Sequence, residues 1–182
     1  MSPVDSDQQQ RPWALIGAGP MGLAMAKNLL QHDVSFEGFD SHSDVGGLWD
    51  ISSERSTVYK SAHLISSKTT TQFSDFPMSE HTPDYPRHDV LLQYFHAYAE
   101  HYQLRQHYHF ACTVMHTQPT DDGWLVQWLD KNGDRHSKLY AGVLIANGTL
   151  ATPNEPNFKG QFIGELIHSA QYKDPVQFRD KR

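Results

Sequence analysis

The apolar run Trp13-Ala14-Leu15-Ile16 stops at Gly17, and a helical pattern then runs from Gly22 through Leu30. This order predicts a short buried strand, a glycine turn and a helix. Val34-Ser35-Phe36-Glu37-Gly38-Phe39-Asp40 alternates as a second strand should, and it ends on an acid. Between Pro86 and Leu104, the residues Leu91, Leu92, Phe95, Tyr98, Ala99 and Tyr102 recur at helical steps, with Asp89 near the N-terminal end. That spacing gives one apolar face and predicts the clearest helix of the chain. From Tyr108 the period changes to two. Phe110–Met115, Trp124–Leu129 and Arg135–Tyr140 read as three strands, the last two joined by Lys131-Asn132-Gly133-Asp134, a turn in which Asn-Gly favours positive φ. They form an antiparallel meander, inserted between the second parallel strand and a further apolar strand at Gly142–Ala146.

The segment Ile16-Gly17-Ala18-Gly19-Pro20-Met21-Gly22 places GxGxxG between a strand and a helix, the context in which it reads as a dinucleotide-binding turn. Gly17 allows the tight turn, Gly19 lets the backbone approach a pyrophosphate, and Gly22 lets the helix pack against the strand. Ala18, Pro20 and Met21 complete the loop that faces the phosphates. Asp40, at the end of the second strand, is placed to accept hydrogen bonds from a ribose, and its charge repels a 2′-phosphate. This first site is therefore expected to prefer FAD or NAD to NADP.

With 182 residues, 38% hydrophobic and 20% charged, the chain has the composition of one soluble globular domain with one core. Residues 1–11 are polar and read as a mobile tail, which leaves 12–182 as the folded domain. The net charge of −6 offers no basic footprint for nucleic acid. No run approaches the roughly 20 apolar residues of a membrane span. Cys112 is alone, so no internal disulfide forms; a buried inert thiol and a cytoplasmic location are expected. His96, His101, His107, His109 and His116 lack any HExxH pattern or paired cysteines, and no metal site is expected.

Four further segments carry a resemblance. Gly46-Gly47-Leu48-Trp49 has the form GGxW, and Phe73-Ser74-Asp75-Phe76-Pro77 has the form F-S/P-D-F-P. Ile145-Ala146-Asn147-Gly148-Thr149 precedes Pro153 and Pro156, and Phe162 to Tyr172 has the spacing FxGxxxHxxxY. In this order the segments resemble the flavin-containing monooxygenases of the N- and S-oxidising type, over roughly residues 13 to 182. The resemblance implies an α/β, Rossmann-like FAD-binding domain of three layers, with a parallel sheet and the inserted meander. It also implies an incomplete flavoprotein of the two-dinucleotide-domain class, because in the family a second glycine-rich turn for NADPH follows the FxGxxxHxxxY fingerprint.

Several residue roles follow from the resemblance. Gly47, Leu48 and Trp49 lie along the FAD, and Ile65 and Ser66 occupy a loop that faces the flavin and nicotinamide. Ile65 departs from the family, which commonly has an asparagine there that stabilises the oxygenated flavin. His168 relays between the two cofactor domains. Tyr172 fits N- and S-oxidation, whereas the Baeyer–Villiger enzymes carry tryptophan. The implied reaction uses FAD, NADPH and O2 to insert one oxygen atom into a small amine or sulfide through a flavin hydroperoxide. The cofactor carries the chemistry, so no catalytic acid, base or nucleophile is assigned. The segment alone is expected to be inactive. The alternatives are a Baeyer–Villiger enzyme and a non-catalytic flavin-binding or interaction module; a disulfide reductase is disfavoured because one cysteine cannot supply CxxC.

Overall fold

The computed structural model describes residues 11–150 and 152–180. The expected tail over 1–11 lies outside them except for Arg11, whose guanidinium donates to the Asp122 carbonyl. The chain starts with strand β1 (Trp13–Ile16), helix α1 (Pro20–Gln31) and strand β2 (Phe36–Phe39), followed by the short helix α2 (Lys68–Thr71) and the long helix α3 (His88–His101). Strands β3 (Tyr108–His109), β4 (Thr113–Thr120), β5 (Gly123–Leu129), β6 (Arg135–Tyr140) and β7 (Val143–Ile145) complete the set. Chain contacts divide these elements into two compact units. One holds the described residues up to Gly47 together with Phe95–Gly148; the other holds Leu48–Tyr94 and the described residues from Thr149 onward.

The first unit contains a parallel sheet in the order β3-β2-β1-β7 and an antiparallel sheet in the order β4-β5-β6. In β1, Ala14 pairs with Glu37 of β2 and with Val143 of β7, and Leu15 with Gly38 and Leu144. Side chains alternate across a sheet, so the two faces have different tasks. Ala14, Phe39 and Val143 form a core with Cys112, Val114, Val126, Trp128 and Tyr140, which lays the meander over one face. Leu15 turns to the opposite face, where α1 buries Leu23 and Ala26. Sheet, meander and helix make the three layers expected from the sequence.

Two boundaries differ from the sequence reading. Helix α1 begins at Pro20 rather than Gly22, because proline's fixed φ suits the first helical position and its missing N–H costs nothing there. The strand expected at Phe110–Met115 begins only at Thr113, after a separate short strand. Tyr108–His109 joins the parallel sheet beside β2, Ala111 takes a left-handed φ of 52°, and Thr113 starts the meander. The Ala111 N–H donates to the His42 carbonyl at 2.8 Å and the Cys112 N–H to the Asp40 carbonyl at 2.9 Å. Those bonds hold a conformation that costs a non-glycine residue on the order of 1–3 kcal/mol. The meander therefore follows a third parallel strand, not the second. In its last turn only Gly133 has positive φ, at 84°; the Asp130 carboxylate shapes that turn by accepting the Asn132 and Asp134 N–H groups at 2.8 and 3.0 Å.

Glu37 ties the two sheets together. Its carboxylate accepts from Lys138 Nζ at 2.5 Å and from the buried Tyr140 hydroxyl at 2.7 Å, with His109 Nε2 at 3.8 Å. Burial raises the Glu37 pKa, but these hydrogen bonds and the charges of Lys138 and His109 outweigh it and hold the group below its usual 4.5. A depressed folded-state pKa gives stability that is full above the unfolded value and lost as pH falls through the folded one. Urea titrations should therefore show the wild-type chain losing stability below pH 4.5, and Glu37→Gln should flatten that slope. An unaltered slope would remove Glu37 from the acid response.

The second unit is organised by side chains that reach backbone groups. Lys68 Nζ donates to the carbonyls of Ser79, Glu80 and Thr82, and the Tyr94 hydroxyl donates to Phe76 O at 2.6 Å while accepting the Phe73 N–H at 2.8 Å. Near the C-terminus, Lys173 donates to the carbonyls of Ser56 and Val58, Lys60 pairs with Asp174, and Tyr172 packs on Tyr59 with ring centroids 5.2 Å apart. These bonds fix the segment after the fingerprint to residues 56–60.

Candidate dinucleotide site

The three glycines of the turn have distinct physical tasks. Gly17 has φ of 108°, and a Cβ there would stand 2.3 Å from the Ala146 carbonyl oxygen. A Cβ on Gly22 would stand 1.8 Å from the Gly17 carbonyl oxygen. Both glycines exist so that the turn can pack. Gly19 differs: its φ of −72° suits any residue, and a Cβ there would meet only the Gly47 Cα, at 3.5 Å. What a side chain at Gly19 would fill is open space.

That space lies at the N-terminus of α1. Gly19 is the N-cap, no side chain caps the helix, and no acid sits in its first turn. The first N–H groups of a helix have no partner within it, and they carry roughly half a positive charge. An anion is the complement of such an end, and a dinucleotide pyrophosphate fits the donor set and the missing Cβ. Pro20 is half-buried and Met21 is exposed, while Ala18 is fully buried.

Asp40 is anchored to the turn. Its Oδ2 accepts the Ala18 N–H at 2.6 Å and its Oδ1 accepts the His42 N–H at 2.7 Å. The sequence reading gave this carboxylate to a ribose alone. Here it also shapes the backbone, and each oxygen keeps a further lone pair for a ligand hydroxyl. Gly46 donates to the Ala18 carbonyl at 3.1 Å, and Gly47, with φ of 58°, lies so near the turn that a Cβ would stand 2.9 Å from the Gly19 Cα. Gly17, Ala18, Gly19, Gly22, Asp40 and Gly47 thus converge on one turn.

Tyr108 belongs to this turn and was missed in the sequence. Its hydroxyl donates to the Gly17 carbonyl at 3.3 Å, and its ring lies where a Cβ on Gly38 would be, 2.3 Å from Cδ1. Burial, with the Asp40 charge added, pushes the phenol far above its usual range, so it remains a neutral donor. Its signal in the sequence is Gly38 itself, since a glycine inside a strand marks a close approach. Tyr108→Phe should cost about 1 kcal/mol in thermal or urea unfolding, the net worth of one buried hydrogen bond. A stability equal to wild type would show that the Gly17 carbonyl does not depend on it.

The remaining candidates lie in the second unit. Leu48 and Trp49 are half-buried, and the Leu48 carbonyl accepts from Ser56 Oγ at 2.5 Å. Ile65 is 99% exposed, and the exposed Ser66 shares a hydrogen bond of 2.8 Å with Thr71 Oγ1. His168 caps the helical turn Ser169–Gln171: its Nδ1 accepts the Ala170 N–H at 3.1 Å, and the Gln171 side chain accepts the His168 N–H at 2.9 Å. The ring proton therefore sits on Nε2. This is a structural task that the expectation of a relay did not include.

Known proteins resemble this chain over nearly its whole length. The chain is 34% identical over 183 residues to flavin-containing monooxygenase 1 of Homo sapiens, an alignment covering 93% of this chain and 34% of that protein. It is 32% identical over 181 residues to dimethylaniline monooxygenase (N-oxide-forming) 2 of Rattus norvegicus, again with 93% and 34% covered. The chain thus spans about a third of the length of these relatives. Among solved structures, S-allyl-L-cysteine S-oxygenase from Allium sativum superposes with a TM-score of 0.85 at 23% identity, over 93% of this chain and 44% of that one. This likeness is one of fold. The family described as flavin-binding monooxygenase-like matches residues 10–182, and to that family the chain belongs.

Proposed function

We propose that the turn of Gly17, Ala18, Gly19, Pro20, Met21 and Gly22, with Asp40 and Gly47, binds the adenosine diphosphate part of FAD. We further propose that the chain serves NADPH-dependent monooxygenation. The observation that carries the reading is the open, uncapped N-terminus of α1 at Gly19, with Gly47 brought against it by a second glycine-rich segment. The FAD supplies the redox chemistry when bound. This chain presents N–H donors to the pyrophosphate at α1 and holds the Asp40 carboxylate beside Ala18. Asp40 disfavours a 2′-phosphate in this site, which supports FAD here and assigns NADPH to a second site.

Substrate class rests on two supports. Tyr172 stands at the fingerprint position where the Baeyer–Villiger enzymes have tryptophan, and a relative 32% identical to this chain is named for N-oxide formation. The first favours a small amine or sulfide as the oxygen acceptor, and the second an amine. The direct test of the site is titration of the chain with FAD, followed by quenching of flavin fluorescence, with NADP+ in parallel. Saturable FAD binding at least about tenfold tighter than NADP+, a difference of 1.4 kcal/mol, is expected. Equal affinity would remove Asp40 from cofactor selection.

A further inference from the structure

Asp44 lies two residues before Gly46 and is held by a side chain from far along the chain. Arg105 Nε donates to Asp44 Oδ1 at 2.7 Å and Nη2 to Oδ2 at 3.4 Å, the forked geometry that fixes direction as well as distance. The same Oδ1 accepts the Val45 N–H at 2.7 Å. Val45 is fully buried, Gly46 donates to Ala18, and Gly47 packs on Gly19. Arg105 is itself placed from α3, through Nη1 to the His96 carbonyl at 3.5 Å and to Glu100 Oε2 at 3.6 Å. His96 Nε2 lies 3.9 Å from Asp44 Oδ2. A continuous line of contacts therefore runs from the end of α3 to the glycine that faces Gly19.

Two glycines in succession, Gly46 with φ of 123° and Gly47 with φ of 58°, leave this loop with many accessible conformations. Something outside the loop must select one. Burial raises the Asp44 pKa, but the Arg105 hydrogen bond, the Val45 N–H and the charges of Arg105 and His96 outweigh it and hold the group below its usual value. The carboxylate stays ionised and keeps its grip on Arg105.

We propose that Arg105 is a positioning residue for FAD: acting through Asp44, it sets the Gly46–Gly47 segment at the spacing from Gly19 that the cofactor's pyrophosphate requires. This rests on the assignment of FAD to the Gly19 turn. The bonds of Arg105 run to Asp44, His96 and Glu100, so removing it acts on the loop through Asp44. Arg105→Lys, which supplies one donor in place of the fork, restores part of the effect.

The experiment is an FAD titration by fluorescence quenching with Arg105→Gln, Asp44→Asn, the double variant and Arg105→Lys. Arg105→Gln and Asp44→Asn are each expected to weaken FAD about tenfold, and the double variant no more than either one, as residues acting in series are non-additive. Arg105→Lys falls between Arg105→Gln and wild type. Arg105→Gln within about twofold of wild type, or a double variant near 100-fold, would overturn the proposal. A second measurement reads the strut without flavin. Exchange of the Gly46 amide, whose partner is Ala18, should quicken about tenfold in Arg105→Gln below its unfolding transition, and an unchanged rate would overturn the strut. Undiminished FAD binding by Gly19→Ala would instead overturn the site assignment.

Discussion

Gly19→Ala should leave the chain folded and take away its FAD binding, while Gly17→Ala and Gly22→Ala should strongly destabilise it. At Gly19 the backbone is ordinary for any residue and the added Cβ meets only the Gly47 Cα, at 3.5 Å. Stability should stay within about 1 kcal/mol of wild type: alanine is a poorer N-cap than glycine but leaves the unfolded chain less entropy to lose. Affinity should fall ~100-fold or more, about 2.8 kcal/mol, because the methyl group fills the approach of the pyrophosphate to the helix end. At Gly17 a Cβ would combine a φ of 108° with an overlap of 2.3 Å against the Ala146 carbonyl, and at Gly22 it would overlap the Gly17 carbonyl at 1.8 Å. Each of these should cost on the order of 3–5 kcal/mol, a large part of a domain's stability. Circular dichroism melts beside FAD titrations separate the outcomes. A Gly19→Ala chain that binds FAD as wild type would mean that the open space is not the cofactor's.

The 182-residue chain supplied with FAD, NADPH and a tertiary amine or sulfide should oxidise NADPH no faster than free FAD does. The sequence holds one GxGxxG turn, and a carboxylate at that turn, Asp40, would repel the 2′-phosphate of NADPH. Hydride transfer needs nicotinamide and flavin held within roughly 3–3.5 Å, and losing that arrangement forfeits most of an effective molarity of ~10⁵–10⁸ M. One site cannot hold both cofactors. The check is NADPH consumption followed by its absorbance, with Gly19→Ala as the control. Turnover well above free FAD that disappears in Gly19→Ala would show that this segment assembles a second nucleotide site of its own.

What could be seen in the sequence was whatever depends on neighbours in the chain. β1, β2, β6 and the glycine turn follow from short-range alternation and from Gly, Pro and Asp at fixed offsets. The split at Ala111 could not be seen. Residues 110–115 read as one strand, and the break is made by hydrogen bonds to His42 and Asp40, which lie far back in the chain. Gly17, Gly19 and Gly22 were legible as a motif, but their division into packing and space needs the positions of Ala146 and Gly47. The same holds for Asp44 and Arg105, 61 positions apart, each a plain solvated charge in a linear reading. The tasks of His168 and Ser66 escaped for another reason. Capping and hydroxyl pairing are local, yet nothing in residue type separates them from contact with a cofactor.

The order β3-β2-β1-β7 bears on how this domain comes off the ribosome. β1 gains β2 soon after synthesis, through a helical crossover, but its other edge waits for β7, about 130 residues later. For most of that interval Ala14, Leu15 and Ile16 present a free parallel edge, and the apolar residues that bury its face, Val126 and Tyr140, have not been made. An open apolar edge pairs with any strand that comes near. Nascent chains ending before Val143 should therefore be held by chaperones, and those that extend past Ile145 and clear the exit tunnel should be released from them.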